Sequence, residues 1–251
     1  MQDTAASQPR ISLFEADRAY RYLDPLVTVF VVVLLISNVV GQKIAAFGPL
    51  RVSGAQFLFP ITYIFGDIFT EVYGYAASRK AIWLGFFASV LLSVMSLICV
   101  KLPAAPEWPN QKAFETVFYT VPRLVLASLL AYWCGEFANS FTLAKLKLVT
   151  KGRHLWTRTI GSTVVGQAVD SVMVMFIGFY GIVPVNTIVR LIVSGYIAKV
   201  VYETLMTPLT YLIVNFLKRK EGVDYFDYNT DFNPFAASEP QEAAGEQTHL
   251  R

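Results

Sequence analysis

The sequence predicts an all-α polytopic membrane protein with six transmembrane helices. Of its 251 residues, 55% are hydrophobic and 16% are charged, whereas an average soluble domain carries about 25% charged residues. The mean hydropathy is +0.48. Crossing a hydrocarbon core of about 30 Å takes about 20 apolar residues at 1.5 Å each, and six segments meet that length. The alternating ten-residue pattern of a membrane barrel is missing from the sequence, so these segments are predicted to be helices.

The six predicted helices alternate with short polar connections. The third segment contains no charged residue, and Pro208 predicts a kink in the sixth. Between the third and fourth segments lies a proline-containing stretch, 101–120, which we expect to be a loop. The predicted spans are 25–47, 52–74, 81–100, 121–144, 159–182 and 188–217.

Polar segments flank this transmembrane domain, which we place at 24–220. Residues 1–23 lack the apolar core of a signal peptide. The tail, 221–251, is predicted to be disordered after about residue 235 because it is rich in Ala, Glu, Gln and Ser. Most Lys and Arg residues of the connections fall on the side of both termini. The positive-inside rule therefore predicts that both termini face the cytoplasm.

Several functional classes are excluded by residue type. Cys99 and Cys134 lie in apolar runs, and His154 and His249 lie in polar stretches, so no metal site with familiar spacing is present in the sequence. The sequence motifs of P-loop nucleotide hydrolases, zinc proteases and serine hydrolases are missing. Positive charge flanks apolar segments instead of forming a basic face, which argues against nucleic-acid binding. We therefore expect no cofactor and no enzymatic activity.

Ionisable side chains inside the predicted spans are the most informative residues. A charge at the bilayer centre costs between about 2.5 and more than 10 kcal/mol, depending on the method. One such group is as readily explained by an interhelical ion pair as by a site. The number of them favours a polar internal site, and they are Lys43, Asp67, Glu71, Arg123, Glu136, Asp170, Lys199 and Glu203.

The depth of each ionisable residue in the bilayer, estimated from its position along its helix, divides these residues into three sets. Asp170 and Lys199 fall near the bilayer midplane and are predicted to pair. Arg123 and Lys43 lie near the outer face, where their long side chains can reach the interface. The remaining acids form a band in the cytoplasmic half, and they are Asp67, Glu71, Glu136 and Glu203.

Helical spacing places polar side chains on common faces that avoid lipid. Unpaired carboxylates in such a site can carry a proton or accept hydrogen bonds from a cationic or amidine-like ligand. The predicted stripes contain Tyr63, Asp67 and Glu71 in the second span, Gln167 and Asp170 in the fifth, and Asn38 and Gln42 in the first.

Four sequence stretches resemble the queuosine-precursor transporter family, a group of six-span bacterial inner-membrane proteins within the wider vitamin-uptake transporters. They are SNVVGQKIAAFG (37–48), FPITYIFGDIFTEVYGYAASRKAIWLGF (59–86), KGRHLWTRTIGSTVVGQAVDS (151–171) and TDFNPF (230–235). The resemblance covers about residues 24–235. It implies import of 7-deazaguanine precursors of queuosine into the cytoplasm. It also implies a fold similar to the substrate-binding subunits of energy-coupling-factor transporters, but without an obligatory ATPase module.

The resemblance also suggests roles for the predicted site residues. A deazaguanine presents N1–H and an exocyclic amino group side by side, and a carboxylate can accept both. Asp67, Glu71 and Asp170 are the candidate carboxylates. The orienting groups would be Gln167, Asn38, Gln42 and Tyr63. Lys199 would neutralise Asp170 or Glu203, and Arg123 would take part in an ion pair. Glu203 or Glu136 would couple transport to protons.

Two alternatives stay open at this point. One is a carrier of the same fold for another vitamin or nucleobase-like solute, and the other is a membrane-embedded enzyme that uses the buried carboxylates. The preferred precursor and the coupling ion are not determined by the sequence. Small residues on the third and fourth spans can pack within one protomer or between two, so a homo-oligomer also stays open.

Overall fold

A computed structural model describes residues 20–40, 43–47, 50–118, 122–181, 184–228 and 230–236. The protein is a polytopic helical membrane protein, as the sequence predicts. Six of the seven α-helices in the described residues are long, and the fourth is short. They are α1 (Leu23–Val40), α2 (Ala55–Ile68), α3 (Tyr75–Lys101), α4 (Gln111–Phe118), α5 (Pro122–Val149), α6 (Leu155–Phe179) and α7 (Val185–Glu221).

Four of these helices are long and apolar enough to cross a membrane, judged within the described residues by length and composition. They are α1, α3, α6 and α7. Helices α2 and α5 occupy the other two predicted spans, and their interior faces carry Asp67 and Glu136. Helix α7 runs through Pro208 without ending. The count of six transmembrane segments remains a prediction.

Helix α2 continues directly into a π-helical turn, Phe69–Tyr73, before the chain reaches α3. All five residues of this π-turn are buried. Single π-turns within helices are rare and are frequent at functional sites. Gly74 ends the turn with φ +86° and ψ 170°, a conformation that essentially only glycine adopts. The turn therefore fixes where α3 begins relative to α2.

The first predicted span differs from the structure at its end. It was expected to run to Phe47, whereas α1 ends at Val40 and residues 44–47 form strand β1 (Ile44–Phe47). This strand pairs antiparallel with β2 (Leu50–Ser53), with Ile44 opposite Ser53. In the sequence, the Gly48–Pro49 dipeptide separates the two runs and is a turn signal. The stretch 101–120, expected to be a loop, contains α4.

Two glycines bring α5 and α6 into close contact. A Cβ on Gly135 would lie 2.9 Å from the Cβ of Asp170, and one on Gly166 would lie 2.7 Å from the Cβ of Asn139. Small residues allow this approach of helix backbones within a membrane. The crossing sets Asp170 on α6 level with Gly135 on α5, and Asn139 on α5 level with Gly166 on α6.

The chain after α7 folds back over α3 and α5 as a segment that we call the tail strap, which comprises the described residues 223–228 and 230–236. Arg79 donates hydrogen bonds of 2.9 Å to the carbonyls of Asp231 and Asn233. Trp83 Nε1 donates to the carbonyl of Pro234 at 2.8 Å. The ring of Tyr225 covers Gly74. The part of the tail predicted to be disordered lies outside the described residues, apart from Ala236.

Candidate functional site

Four carboxylates from four different helices lie buried in one region, which we call the acid cluster. Asp67 on α2 and Glu136 on α5 are 0% exposed, Glu203 on α7 is 2% exposed, and Asp170 on α6 is 4% exposed. Asp67 interacts electrostatically with Glu203 and Glu136, and Glu136 interacts with Asp170 and Glu203. The structure thus brings together acids that the sequence predicted in two layers.

Asp67 has a single hydrogen-bond donor among the described residues. Asn139 Nδ2 donates to Oδ1 of Asp67 at 2.9 Å, and Oδ2 has no partner there. Asn139 was not among the predicted site residues. Its position three residues after Glu136 places both on the same face of α5, which was the available signal.

Glu136 lies against α2 at Gly66, where a Cβ would be 2.6 Å from Oε2 of the carboxylate. Neither carboxylate oxygen of Glu136 has a hydrogen-bond donor among the described residues. A buried, ionised and unpaired carboxylate costs several kcal/mol. A proton or a bound donor on Glu136 would remove that cost.

Hydroxyl and amide groups surround these acids. Tyr63, 1% exposed, interacts electrostatically with Asp170 and Glu136. Among the described residues, the hydroxyl of Tyr132 and Oε1 of Gln167 have no hydrogen-bond partner. Both side chains are buried. Their unfilled hydrogen-bonding capacity suits a polar ligand.

The one ion pair found within the acid cluster, among the described residues, is the predicted pair of Lys199 on α7 with Asp170 on α6. The pair is therefore confirmed. The Asp170 side chain is 6% exposed and the Lys199 side chain is 32% exposed. The four carboxylates are thus opposed by one ammonium.

Glu71 lies in a separate set of contacts, which we call the cation network. Arg158 donates to both carboxylate oxygens at 3.1 and 2.6 Å, and Lys218 donates to Oε1 at 2.6 Å. Lys147 lies 3.7 Å from the same oxygen. The carboxylate of Glu71, 0% exposed, is thus held by cations from α5, α6 and α7. In the sequence, these three cations lie in the polar stretches that flank the predicted spans, so they were not predicted as site residues.

Lys147 also joins the π-turn to the tail strap. Its Nζ donates to the backbone carbonyl of Glu71 at 2.5 Å and to that of Tyr225 at 2.6 Å. It pairs with Asp224 at 2.7 Å, and Lys218 pairs with Asp224 at 2.9 Å. Burial acts to raise the pKa of Asp224, but the two ammonium groups act more strongly and lower it below its ordinary value. Asp224 is therefore ionised at neutral pH.

Asp227 caps the start of α3. Its two carboxylate oxygens accept the backbone N–H of Tyr75 at 3.0 and 3.2 Å. Burial raises the pKa of Asp227 above its ordinary value, against the hydrogen bonds from Thr230 and the Tyr75 N–H, which favour the charged form. A carboxylate at this position satisfies one of the free N–H groups at the helix N-terminus.

Other predicted site residues are not part of the acid cluster as described. Asn38 is exposed on α1 and donates to Ser89 Oγ on α3 at 3.2 Å. Lys43 is exposed. Gln42 and the side chain of Arg123 lie outside the described residues.

The helical bundle and its buried polar interior define a polytopic membrane protein with a polar region shared by four helices. The family described as "Putative vitamin uptake transporter" matches residues 53–213. The match covers more than half of the sequence, and the chain belongs to this family of transporters. Transport, and not catalysis, is the activity of the family.

Two curated relatives carry more specific names. The "Probable queuosine precursor transporter" of Bacillus subtilis (strain 168) is 33% identical over 147 residues, which cover 58% of this chain and 64% of that protein. The "Queuosine precursor transporter" of Escherichia coli (strain K12) is 22% identical over 170 residues, covering 68% and 74% of the two chains. No solved structure matches. The expected likeness to energy-coupling-factor subunits therefore stays a prediction.

Proposed function

We propose that this protein carries queuosine precursors, meaning 7-deazaguanine bases or related queuine compounds, across the bacterial inner membrane into the cytoplasm. Both termini would face the cytoplasm. The names of its two relatives support the substrate class. The observation that carries the proposal is the convergence, from α2, α5, α6 and α7, of buried oxygen atoms that have no hydrogen-bond partner among the described residues.

The chemistry of the acid cluster matches a ligand that donates hydrogen bonds. Asp67 Oδ2, both oxygens of Glu136 and Oε1 of Glu203 are acceptors without a donor among the described residues. A 7-deazaguanine offers N1–H and an exocyclic amino group side by side, and one carboxylate can accept both. Such a ligand would satisfy groups that are otherwise costly to bury.

Six of the predicted site residues have a place in this proposal. Asp67 would accept the N1–H and amino donors, while Gln167 and Tyr63 would orient the ring. Lys199 would neutralise Asp170 in the empty site. We assign Glu71 to positioning, because its carboxylate is already held by Arg158, Lys147 and Lys218, and the π-turn that contains it begins immediately after α2.

The test is uptake by a bacterial strain that cannot make its own precursor. Asp67→Asn should lose most precursor-dependent queuosine in transfer RNA while reaching normal amounts in the membrane. Asp24→Asn, an exposed acid at the start of α1, should leave uptake unchanged. Full uptake by Asp67→Asn would remove the role assigned to that residue.

The family description favours a second candidate, a carrier for another vitamin or nucleobase-like solute. Competition separates the two. Excess unlabelled 7-deazaguanine should block uptake of a labelled precursor, while vitamins and ordinary purines should not. Stronger competition by a vitamin would favour the second candidate.

A further inference from the structure

The acid cluster contains more carboxyl groups than the described cations around it could balance if all of them were ionised. Lys199 is the single cation that pairs with any of its four acids within the described residues, since Arg158, Lys147 and Lys218 are bound to Glu71. The titratable and charged groups facing the cluster are Tyr63 and Asp67 from α2, Glu71 from the π-turn, Tyr132 and Glu136 from α5, Asp170 from α6, and Lys199 and Glu203 from α7.

We propose that the empty acid cluster is kept near neutral by protons on its carboxyl groups, and that a cationic ligand binds by displacing one of them. This inference rests on the proposed function, because it concerns the same site. It adds that binding and proton release are one event.

Glu136 is the strongest argument for protons in the empty site. Its side chain is 0% exposed, and neither oxygen has a donor among the described residues. Asp67 has one donor, Asn139, and Glu203 Oε1 has none there. Three carboxylates left ionised under these conditions would each cost several kcal/mol. A proton on a carboxyl group removes its charge and most of that cost.

Neutral polar side chains near the acid cluster support a ligand-binding site there, and not only a group of buried acids. Tyr132 OH, Gln167 Oε1 and Asn139 Oδ1 have no hydrogen-bond partner within the described residues, and all three side chains are more than nine-tenths buried. A ligand with several N–H groups can satisfy them together.

Protons fit this geometry better than a metal ion. Within the described residues, no three acid, histidine or cysteine side chains lie close enough together to hold a metal. The carboxyl groups are therefore neutralised singly. On binding, one carboxyl O–H releases its proton to water, and the new carboxylate accepts an N–H of the ligand's ammonium group. The total charge of the site does not change.

Calorimetry of the purified full-length protein in detergent tests the inference. The probes are 7-aminomethyl-7-deazaguanine, a cation, and 7-deazaguanine, which is neutral. Titrations in two buffers of different ionisation enthalpy count the protons released. We expect about one proton per cationic ligand, and an affinity that rises by up to about tenfold per pH unit over the pH range in which the exchanging carboxyl group is protonated in the empty site. The neutral probe should release fewer protons.

Variants identify the carboxyl group that exchanges its proton. Glu136→Gln and Glu203→Gln each replace an acid by a neutral amide, and at least one should flatten the pH dependence for the cationic probe. Glu107→Gln, an exposed acid, should behave as the wild type. Binding of both probes by the wild type without proton release would overturn the inference and leave the proposed function intact. If neither probe binds, the proposed function fails as well.

Discussion

Asn139 donates a hydrogen bond of 2.9 Å to Asp67, and this bond joins α5 to α2 beside the acid cluster. The bond is buried at both ends, since both residues are 0% exposed. It is also the sole hydrogen bond to the Asp67 carboxylate among the described residues. The hydrogen bond from Asn139 therefore offsets part of the free-energy cost of burying the Asp67 carboxylate.

Asn139→Ala should destabilise the protein by about 1 to 3 kcal/mol, because it leaves the buried Asp67 carboxylate without a donor. The alanine keeps the Cβ that packs against Gly166, so helix packing is retained. Thermal unfolding in detergent measures the effect. Asn215→Ala, which removes an exposed amide on α7, should change stability by less than about 0.5 kcal/mol. Equal effects of the two changes would contradict this account.

Glu71→Gln should be strongly destabilising, by about 3 to 5 kcal/mol, because it leaves buried cations without their shared anion. The double variant Glu71→Gln with Arg158→Gln should lose less than the sum of the two single changes, since it removes an uncompensated charge together with its partner. Chemical unfolding of the four proteins completes the cycle. Additive losses would show that the two residues do not interact.

Gly74→Ala should displace the tail strap. At φ +86°, an alanine is strained, and its Cβ would overlap the ring of Tyr225. Gly222→Ala is the comparison, because Gly222 also has positive φ, at +65°, but a Cβ there meets no described atom within 4 Å. Limited proteolysis should cleave the strap faster in the first variant than in the second. Equal cleavage rates would mean that the Tyr225 contact does not hold the strap.

Asp227→Ala should weaken the first turn of α3 by about 0.5 to 2 kcal/mol, the usual effect of removing a helix cap. Hydrogen exchange at the amide of Tyr75 should become faster, because this N–H loses its acceptor. Asp231→Ala serves as the matched control, since Asp231 is exposed and its side chain accepts from Asn233 in the strap itself. An unchanged exchange rate at Tyr75 in Asp227→Ala would argue against the cap.

The sequence predicted the helical bundle and the pairing of Asp170 with Lys199, because both follow from lengths along a helix. The depth of this pair in the bilayer stays a prediction. Apolar segments of membrane-spanning length mark the helices, and equal depth placed Asp170 beside Lys199. The partners of Glu71 were not predicted. Helices α5 and α7 extend beyond their apolar segments, to Val149 and Glu221, and α6 begins before its own. Cations counted with the connections and the tail therefore lie on buried helical ends.

The tail strap could not be derived from periodicity. Its contacts are donations from Arg79 and Trp83 to backbone carbonyls, and these carry no signature in the residue types of the strap. Only the short stretch 230–235 hinted at a role, through its family resemblance. Asn139 was likewise not predicted, because a neutral amide within an apolar helix is a weaker signal of a functional site than a charged side chain.

The position of Lys147 has a practical consequence for anyone shortening or tagging this protein. A stop after Ala236 would keep every described contact of the strap, so a purification tag fused there should be harmless. A stop after Gly222 would remove Asp224 and the Tyr225 carbonyl, and Lys147 would keep only its contacts with Glu71 among the described residues. Cellular proteases degrade destabilised proteins, so this shorter product should reach the membrane in smaller amounts than the full chain.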